Sequence, residues 1–268
     1  MERIKKGLRI AAPGRVQDVD PLAADGGADD GELPSIELSV FEYEKTRVID
    51  VPTAALAAAR VITGRGQDPV TRAYKLLRTR VLQRLVAENW QTIAVVSPSG
   101  GDGKTLTAIN LAISIASTRT HTSLLVDLDW QRPSVHTYFG YDPPHDVCDY
   151  LRHERPMSDV LINPGLARFC FLPCARPVPD SSEHLADLAP FVQELKSRYR
   201  NRIVIFDVPP LLLTDDALSF LPLVDCALLV VQEGKTKSAA VEQSLELIDP
   251  DRLLGSVINN SRQVLPGY

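Results

Sequence analysis

Residues 92–112 read TIAVVSPSGGDGKTLTAINLA, an apolar run that breaks into a glycine cluster, closes on Gly103-Lys104-Thr105 and continues at helical spacing. A short, wholly apolar run is the signature of a strand buried on both faces, and a glycine-rich turn from such a strand into a helix is a loop suited to an anion. Gly100, Gly101 and Gly103 let successive backbone N–H groups converge, and the following helix adds the positive end of its dipole. Pro98 stands where the pattern G-x-x-x-x-G-K-[ST] has its first glycine, but the anion nest is made by the later residues. The stretch therefore predicts a nucleotide phosphate lined by Ser99, Gly100, Gly101, Asp102, Gly103, Lys104, Thr105 and Leu106. Lys104 supplies a point charge for the β- and γ-phosphates, and Thr105 a hydroxyl for Mg²⁺.

Outward from this loop, short apolar runs alternate with helical stretches. The runs are 92–97, 123–127, 169–172, 202–207, 226–232 and 253–259. Helices are expected over 105–118, 183–199 and 236–248, with shorter pieces near 146–152 and 214–221. Before the loop, Val70, Ala73, Tyr74, Leu77, Val81 and Leu85 recur every three or four residues and predict a helix over 69–88. Such alternation gives the α/β class: a doubly wound, mostly parallel sheet with helices on both faces, in which ligands sit at the carboxyl ends of the strands.

Three further polar features fall at those ends. In LLVDLDWQRP (124–133), Asp127 and Asp129 leave a buried strand two residues apart and so point to one side. In RIVIFDVPP (202–210), Asp207 closes a strand that Pro209-Pro210 stop. In LLGSVINN (253–260), Asn259 ends the last strand, where its amide would read a base edge or form a turn. One lysine, one hydroxyl and three carboxylates thus surround a triphosphate. Thr105, Asp127, Asp129 and Asp207 are candidate magnesium ligands. Lys104, Asp127 and Asp129 are candidates for the chemistry, an aspartate acting as the base toward an attacking hydroxyl.

The chain has 268 residues, 44% hydrophobic and 24% charged, with a net charge of −5. This describes a globular protein with a sizeable core and argues against one that coats nucleic acid. From Asp18 to Glu44 there are nine acidic residues and no basic one. That composition predicts a disordered N-terminal segment over 1–60, ahead of one phosphate-loop domain over 61–268. The basic N-terminus has no apolar stretch behind it, so it is not a signal peptide. No run approaches the roughly 20 apolar residues that span a bilayer. The expectation is a cytoplasmic protein that meets a membrane only through a partner. Cys148, Cys170, Cys174 and Cys226 lack zinc-type spacing and read as small buried hydrophobes in a reducing compartment.

SPSGGDGKTLTAINLA, LLVDLDWQRPSVHTYFG and RIVIFDVPPLLLTDDAL together resemble the Walker A, Walker A′ and Walker B segments of the bacterial tyrosine kinases of capsule and exopolysaccharide synthesis. VVQEGKT and LLGSVINN resemble that family's closing strands, and LPCARPVPDSSEHL its Asn-Pro-x-Glu-Leu-Leu stretch. The likeness covers about residues 68 to 260. It implies ATP and Mg²⁺ as cofactors and autophosphorylation on tyrosine, with Asp127 as base and metal contact and Asp129 and Asp207 supporting magnesium. It also implies a membrane-embedded polysaccharide chain-length regulator as a separate partner chain, and a homo-oligomer. Where the family carries Glu-x-x-Arg-x-x-Arg, tied to rings, this helix has Arg72, Lys75 and Arg78, which read equally as a solvated helix face. Where the family ends in a run of tyrosines, this chain offers Tyr268 as the candidate acceptor. Two other readings stand beside the kinase. One is a regulatory ATPase of the same machinery that does not phosphorylate itself. The other is a positioning or partition ATPase, although those carry a signature lysine where this loop has Ser99.

Overall fold

In the computed structural model, which describes residues 46–64, 66–178, 184–198 and 201–262, the apolar runs are strands of one sheet. The strands are β1 (Arg47–Val48), β2 (Thr92–Val96), β3 (Thr122–Asp127), β4 (Ile162–Asn163), β5 (Phe169–Leu172), β6 (Arg202–Asp207), β7 (Cys226–Gln232) and β8 (Leu253–Asn259). Their order is β1-β4-β5-β3-β6-β2-β7-β8. Every pairing is parallel except β4 with β5. The helices are α1 (Thr53–Ala58), α2 (Pro69–Glu88), α3 (Lys104–Ala116), α4 (Val135–Tyr138), α5 (Val147–Leu151), α6 (Met157–Val160), α7 (Leu185–Arg198), α8 (Asp216–Phe220) and α9 (Ser238–Leu247).

The two-residue period of the strands sorts their side chains into two cores. Ile93, Val95, Leu125, Ile203, Ile205, Leu228 and Val230 face α2 and α3, where they meet Val81, Leu85, Ile109 and Leu111. Ala94, Val96, Leu124, Val126, Val204, Phe206 and Leu229 face the other way, onto Leu188, Phe191 and Leu195 of α7 and Phe220 of α8. Because the central strands are covered on both faces, they read as continuous apolar runs. The doubly wound expectation holds.

The expected boundary at residue 60 does not. Arg47 and Val48 pair in parallel with Ile162 and Asn163, and Ile49 donates to the Asn163 carbonyl at 2.8 Å. Leu56 of α1 is buried in the core beneath α3. The buried Asn110 then ties the chain down, accepting from Ile62 N at 3.0 Å and donating to Arg60 O at 3.1 Å. The folded domain therefore includes residues 46–60. The acidic stretch Asp18–Glu44 lies outside the described residues. The strand β4 and the helices α1, α4 and α6 are also additions to the expected elements, all of them too short to carry a period.

On α2, Asp68 caps the start, accepting from Thr71 N at 3.0 Å and Thr71 Oγ1 at 2.6 Å. Lys75 donates to Gly66 O at 2.9 Å and Arg78 to Ser114 O at 3.2 Å. Two of the three basic residues singled out in the sequence thus fasten α2 to the chain before it and to α3.

The entry to β2 hangs on Asp225, just before β7. Its Oδ2 accepts from Gln91 N, Thr92 N and Thr92 Oγ1, each at 2.8 Å, and its Oδ1 accepts from Lys196 Nζ at 2.6 Å. Burial raises this carboxyl, but Lys196 and the Gln91 and Thr92 donors outweigh it and hold the group below its ordinary value. A lowered folded pKa contributes stability that is present above the unfolded value, near 3.9, and disappears as pH falls through the folded value. Asp225→Ala is expected to cost about 2–3 kcal/mol at pH 7, because two backbone N–H groups lose a charged acceptor. Denaturant unfolding at pH 7 and at pH 3 checks this, the gap between parent and variant narrowing at pH 3.

Candidate functional site

The sheet register puts the site together. Asp127 at the end of β3 lies opposite Asp207 at the end of β6, and Asp207 lies opposite Val95 in β2. The glycine loop leaves β2 beside these carboxylates and enters α3 with Gly103 as the N-cap, at φ 89°. Gly101 is also left-handed, at φ 79°. A Cβ on Gly103 would stand 1.8 Å from Asn259 Nδ2, so only glycine fits between the loop and the last strand. Gly103→Ala must take a left-handed backbone costing about 1–2 kcal/mol and displace Asn259. Nucleotide affinity is expected to fall about tenfold or more, measured by calorimetry.

The buried Asp102 shapes the loop from inside. One carboxylate oxygen accepts from Ser99 N at 3.1 Å and the other from Thr236 Oγ1 at 2.9 Å. Its carbonyl accepts from Asn259 Nδ2 at 3.0 Å. Lys235 Nζ donates to the carbonyls of Gly100 at 3.2 Å and Gly101 at 2.8 Å. Lys235 and Thr236, on the turn between β7 and α9, carry no role in the sequence reading. The signal was present in the Gly-Lys-Thr that follows β7, at the same carboxyl edge as the loop. Asn259, expected to read a base edge or form a turn, fastens the phosphate loop to the last strand. Its amide nitrogen holds the loop, and its oxygen accepts from Asn260 N at 2.8 Å.

Lys104 reaches back from α3 into the carboxylates. Its Nζ lies 2.7 Å from Asp207 Oδ1 and 3.1 Å from Asp129 Oδ2. Thr105 Oγ1 donates to Asp207 Oδ2 at 2.6 Å. Burial pulls the ammonium pKa down, but Asp207 and Asp129 more than offset it, leaving Lys104 above its ordinary value. Burial pushes Asp207 up, against the pull of Lys104 and Thr105.

Asp127 is used differently. Its Oδ2 accepts from Ser134 N at 2.9 Å and Val135 N at 3.0 Å, and its Oδ1 accepts from Asp129 N at 3.2 Å. It thereby anchors the start of α4 and the backbone of Asp129. Burial, with Asp207 alongside, pushes this carboxyl well above the ordinary carboxylate range. Asp127 is 0% exposed and Asp129 7%, and the second Asp129 oxygen, Oδ1, accepts from Arg132 N at 3.1 Å. Among the predicted residues, Lys104, Thr105, Asp129 and Asp207 form one hydrogen-bonded set, with Asp127 buried behind it. Ser99, Asp102 and Asn259 hold the loop, and Leu106 packs into the core beneath it. Tyr268 lies outside the described residues.

Comparison with known proteins agrees with this fold. The Bacillus subtilis protein named tyrosine-protein kinase YwqD is 26% identical over 193 residues, spanning 70% of this chain and 80% of that one. The solved chimerical protein CapA2B2 superposes with a TM-score of 0.68 at 23% identity, covering 81% of this chain and 94% of its own. Cobyrinic acid a,c-diamide synthase from Mycobacterium smegmatis, solved with an ATP analog and magnesium, superposes at 0.52 with 24% identity, covering 65% of this chain and 77% of its own. The family model CobQ/CobB/MinD/ParA nucleotide binding domain matches residues 93–264. That match spans well over half of the sequence, and the chain belongs to this nucleotide-binding family.

Proposed function

We propose that this chain is an ATP-dependent protein-tyrosine kinase acting in bacterial polysaccharide synthesis and export. The observation that carries the reading is the Lys104 ammonium, buried between Asp129 and Asp207 directly behind the phosphate loop. The donor set suits the cofactor: Thr105, Asp129 and Asp207 offer hard oxygens, the ligands Mg²⁺ prefers. Bound there, Mg²⁺ would neutralise charge on the β- and γ-phosphates of ATP. Lys104 would then give up one or both carboxylates and turn its protons to the phosphates. The loop N–H groups at 100–105 bind and orient them. Similarity to a protein named as a tyrosine kinase supports a tyrosine hydroxyl as the acceptor.

The sequence reading gave the base role to Asp127. We assign it instead to Asp129, because it bonds the Lys104 ammonium directly and is the less deeply enclosed of the two carboxylates, whereas Asp127 is 0% exposed. Asp127 is then a positioning residue that fixes the Asp129 backbone. Asp129→Asn is expected to lower phosphotransfer at least a hundredfold with the melting temperature within a few degrees of the parent. Asp127→Asn should lower both, since an amide nitrogen would face one of the three donors. Equal thermal stability of the two variants would contradict the division of roles.

The reading as a whole is tested by incubating the purified full chain with Mg-ATP and mapping phosphotyrosine by mass spectrometry. Phosphate on Tyr268, lost in Tyr268→Phe, is the expected outcome. ATP hydrolysis with no phosphotyrosine, even beside a membrane chain-length regulator, would point to the regulatory ATPase. That regulator is also the proposed route to the membrane, since no helix among the described residues is long and apolar enough to cross one. The altered basic positions on α2 bear on self-association: if Lys75 and Arg78 serve only to fasten α2, Arg72→Glu will leave the sedimentation coefficient unchanged.

A further inference from the structure

We propose that Asp146, Cys148 and Cys174 form a binding site for a thiophilic divalent cation of the zinc class. One carboxylate oxygen and two Sγ atoms lie within 4.8 Å of one another. Nothing in the spacing of these residues announces the site; the fold makes it. Asp146 caps α5 through a capping box with Asp149, which places Cys148 in the first turn. Cys174 follows β5 by two residues. The two segments are laced together: Val147 N donates to Pro173 O at 2.8 Å, and Ala175 N to Asp146 Oδ2 at 2.8 Å. Asp146 Oδ1 accepts from Cys148 N at 2.9 Å and Asp149 N at 3.2 Å. The donors are therefore held in place by backbone structure before any ion arrives.

Two sulfurs and one oxygen select zinc-like ions and disfavour magnesium or calcium. Both thiols are buried. Binding would expel thiol protons to solvent as thiolates form. A cavity of about 250 Å³ opens beside Asp146 and Cys148, giving room for water or an outside ligand in a fourth position. A second observation points the same way. His136 of α4 forms a hydrogen bond with the Cys174 backbone, which fixes the segment carrying the second sulfur from a third side.

Cobalt(II) gives the test, because it reports sulfur ligation through a thiolate-to-metal charge-transfer band. The full chain, stripped of metal and free of nucleotide, is titrated with Co²⁺. One equivalent should produce the band in the parent and in Cys170→Ala, and no band in Cys148→Ala or Cys174→Ala. Cobalt at the nucleotide site cannot imitate this, since Thr105, Asp129 and Asp207 offer only oxygen. Zn²⁺ should raise the melting temperature of the parent and of Cys170→Ala but not of the other two. A parent that remains folded and shows no band at stoichiometric cobalt would overturn the site, whatever the variants do. So would a band that survives Cys174→Ala, or a Cys148–Cys174 disulfide that forms while cobalt leaves the reduced protein unchanged.

Discussion

Lys104→Ala is expected to weaken Mg-ATP binding by about 30- to 150-fold, the loss of charged hydrogen bonds worth about 2–3 kcal/mol. It is also expected to destabilise the protein without nucleotide. The ammonium is the buried counter-charge for Asp129 and Asp207, with Asp127 alongside. Breaking a buried pair from one side costs about 3–5 kcal/mol. The sign of the pH dependence follows from the carboxyls that remain. Asp127 and Asp207 already sit above their unfolded values, and without Lys104 they rise further. Groups raised on folding contribute stability that falls away as pH climbs through their folded values. The deficit of Lys104→Ala should therefore be larger at pH 8 than at pH 5, and Mg²⁺ alone should narrow it. Calorimetry for ATP and denaturant unfolding at the two pH values separate the effects. Undiminished ATP affinity would end the phosphate-site reading.

Deleting residues 2–60 is expected to cost at least ~3 kcal/mol more than deleting 2–45. The longer cut removes Leu56 from a core position, and loss of such a side chain alone costs about 2–5 kcal/mol. It also strips β1 from β4, leaving a two-residue strand whose remaining neighbour is the antiparallel β5. The shorter cut leaves β1, α1 and the Asn110 contacts in place. Parallel thermal unfolding of the two truncated chains decides it. Equal melting temperatures would mean that residues 46–60 do not belong to the cooperative unit.

Where the sequence was readable, one physical signal repeated over many residues. The six long strands and the helices α2, α3, α7 and α9 each carry a sustained apolar run or a helical period, and their types were all legible. Lys104 and the three residues gathered with it were legible because strand-end carboxylates facing a glycine loop have little to do except meet phosphate and metal. Residues 46–60 were not legible. Arg47–Val48 is too short for alternation, and TAALAA shows a single large apolar residue whose burial depends on α3, some fifty positions away. Asp127 and Asp129 looked alike as letters two apart. What separates them is the turn at 130–135, which brings two N–H groups onto one carboxylate and none of which is visible as a pattern. Cys148 and Cys174 stayed apart for the same reason, since only the lacing of 146–147 to 173–175 brings position 174 beside the cap of α5.

The lacing of the glycine loop has a consequence for the order of assembly. Its fastenings come from Lys235, Thr236 and Asn259, between 134 and 157 residues further along the chain. Contacts so distant in sequence form late, after the intervening chain has been drawn in. During synthesis the ribosome delivers the loop early, yet Asp102 cannot complete its set of partners until β8 has been made and added to the open edge of the sheet. A nascent chain halted anywhere before residue 259 would thus carry every letter of the phosphate motif in a loop without its final shape, and the first part of the site to be translated is the last to become competent.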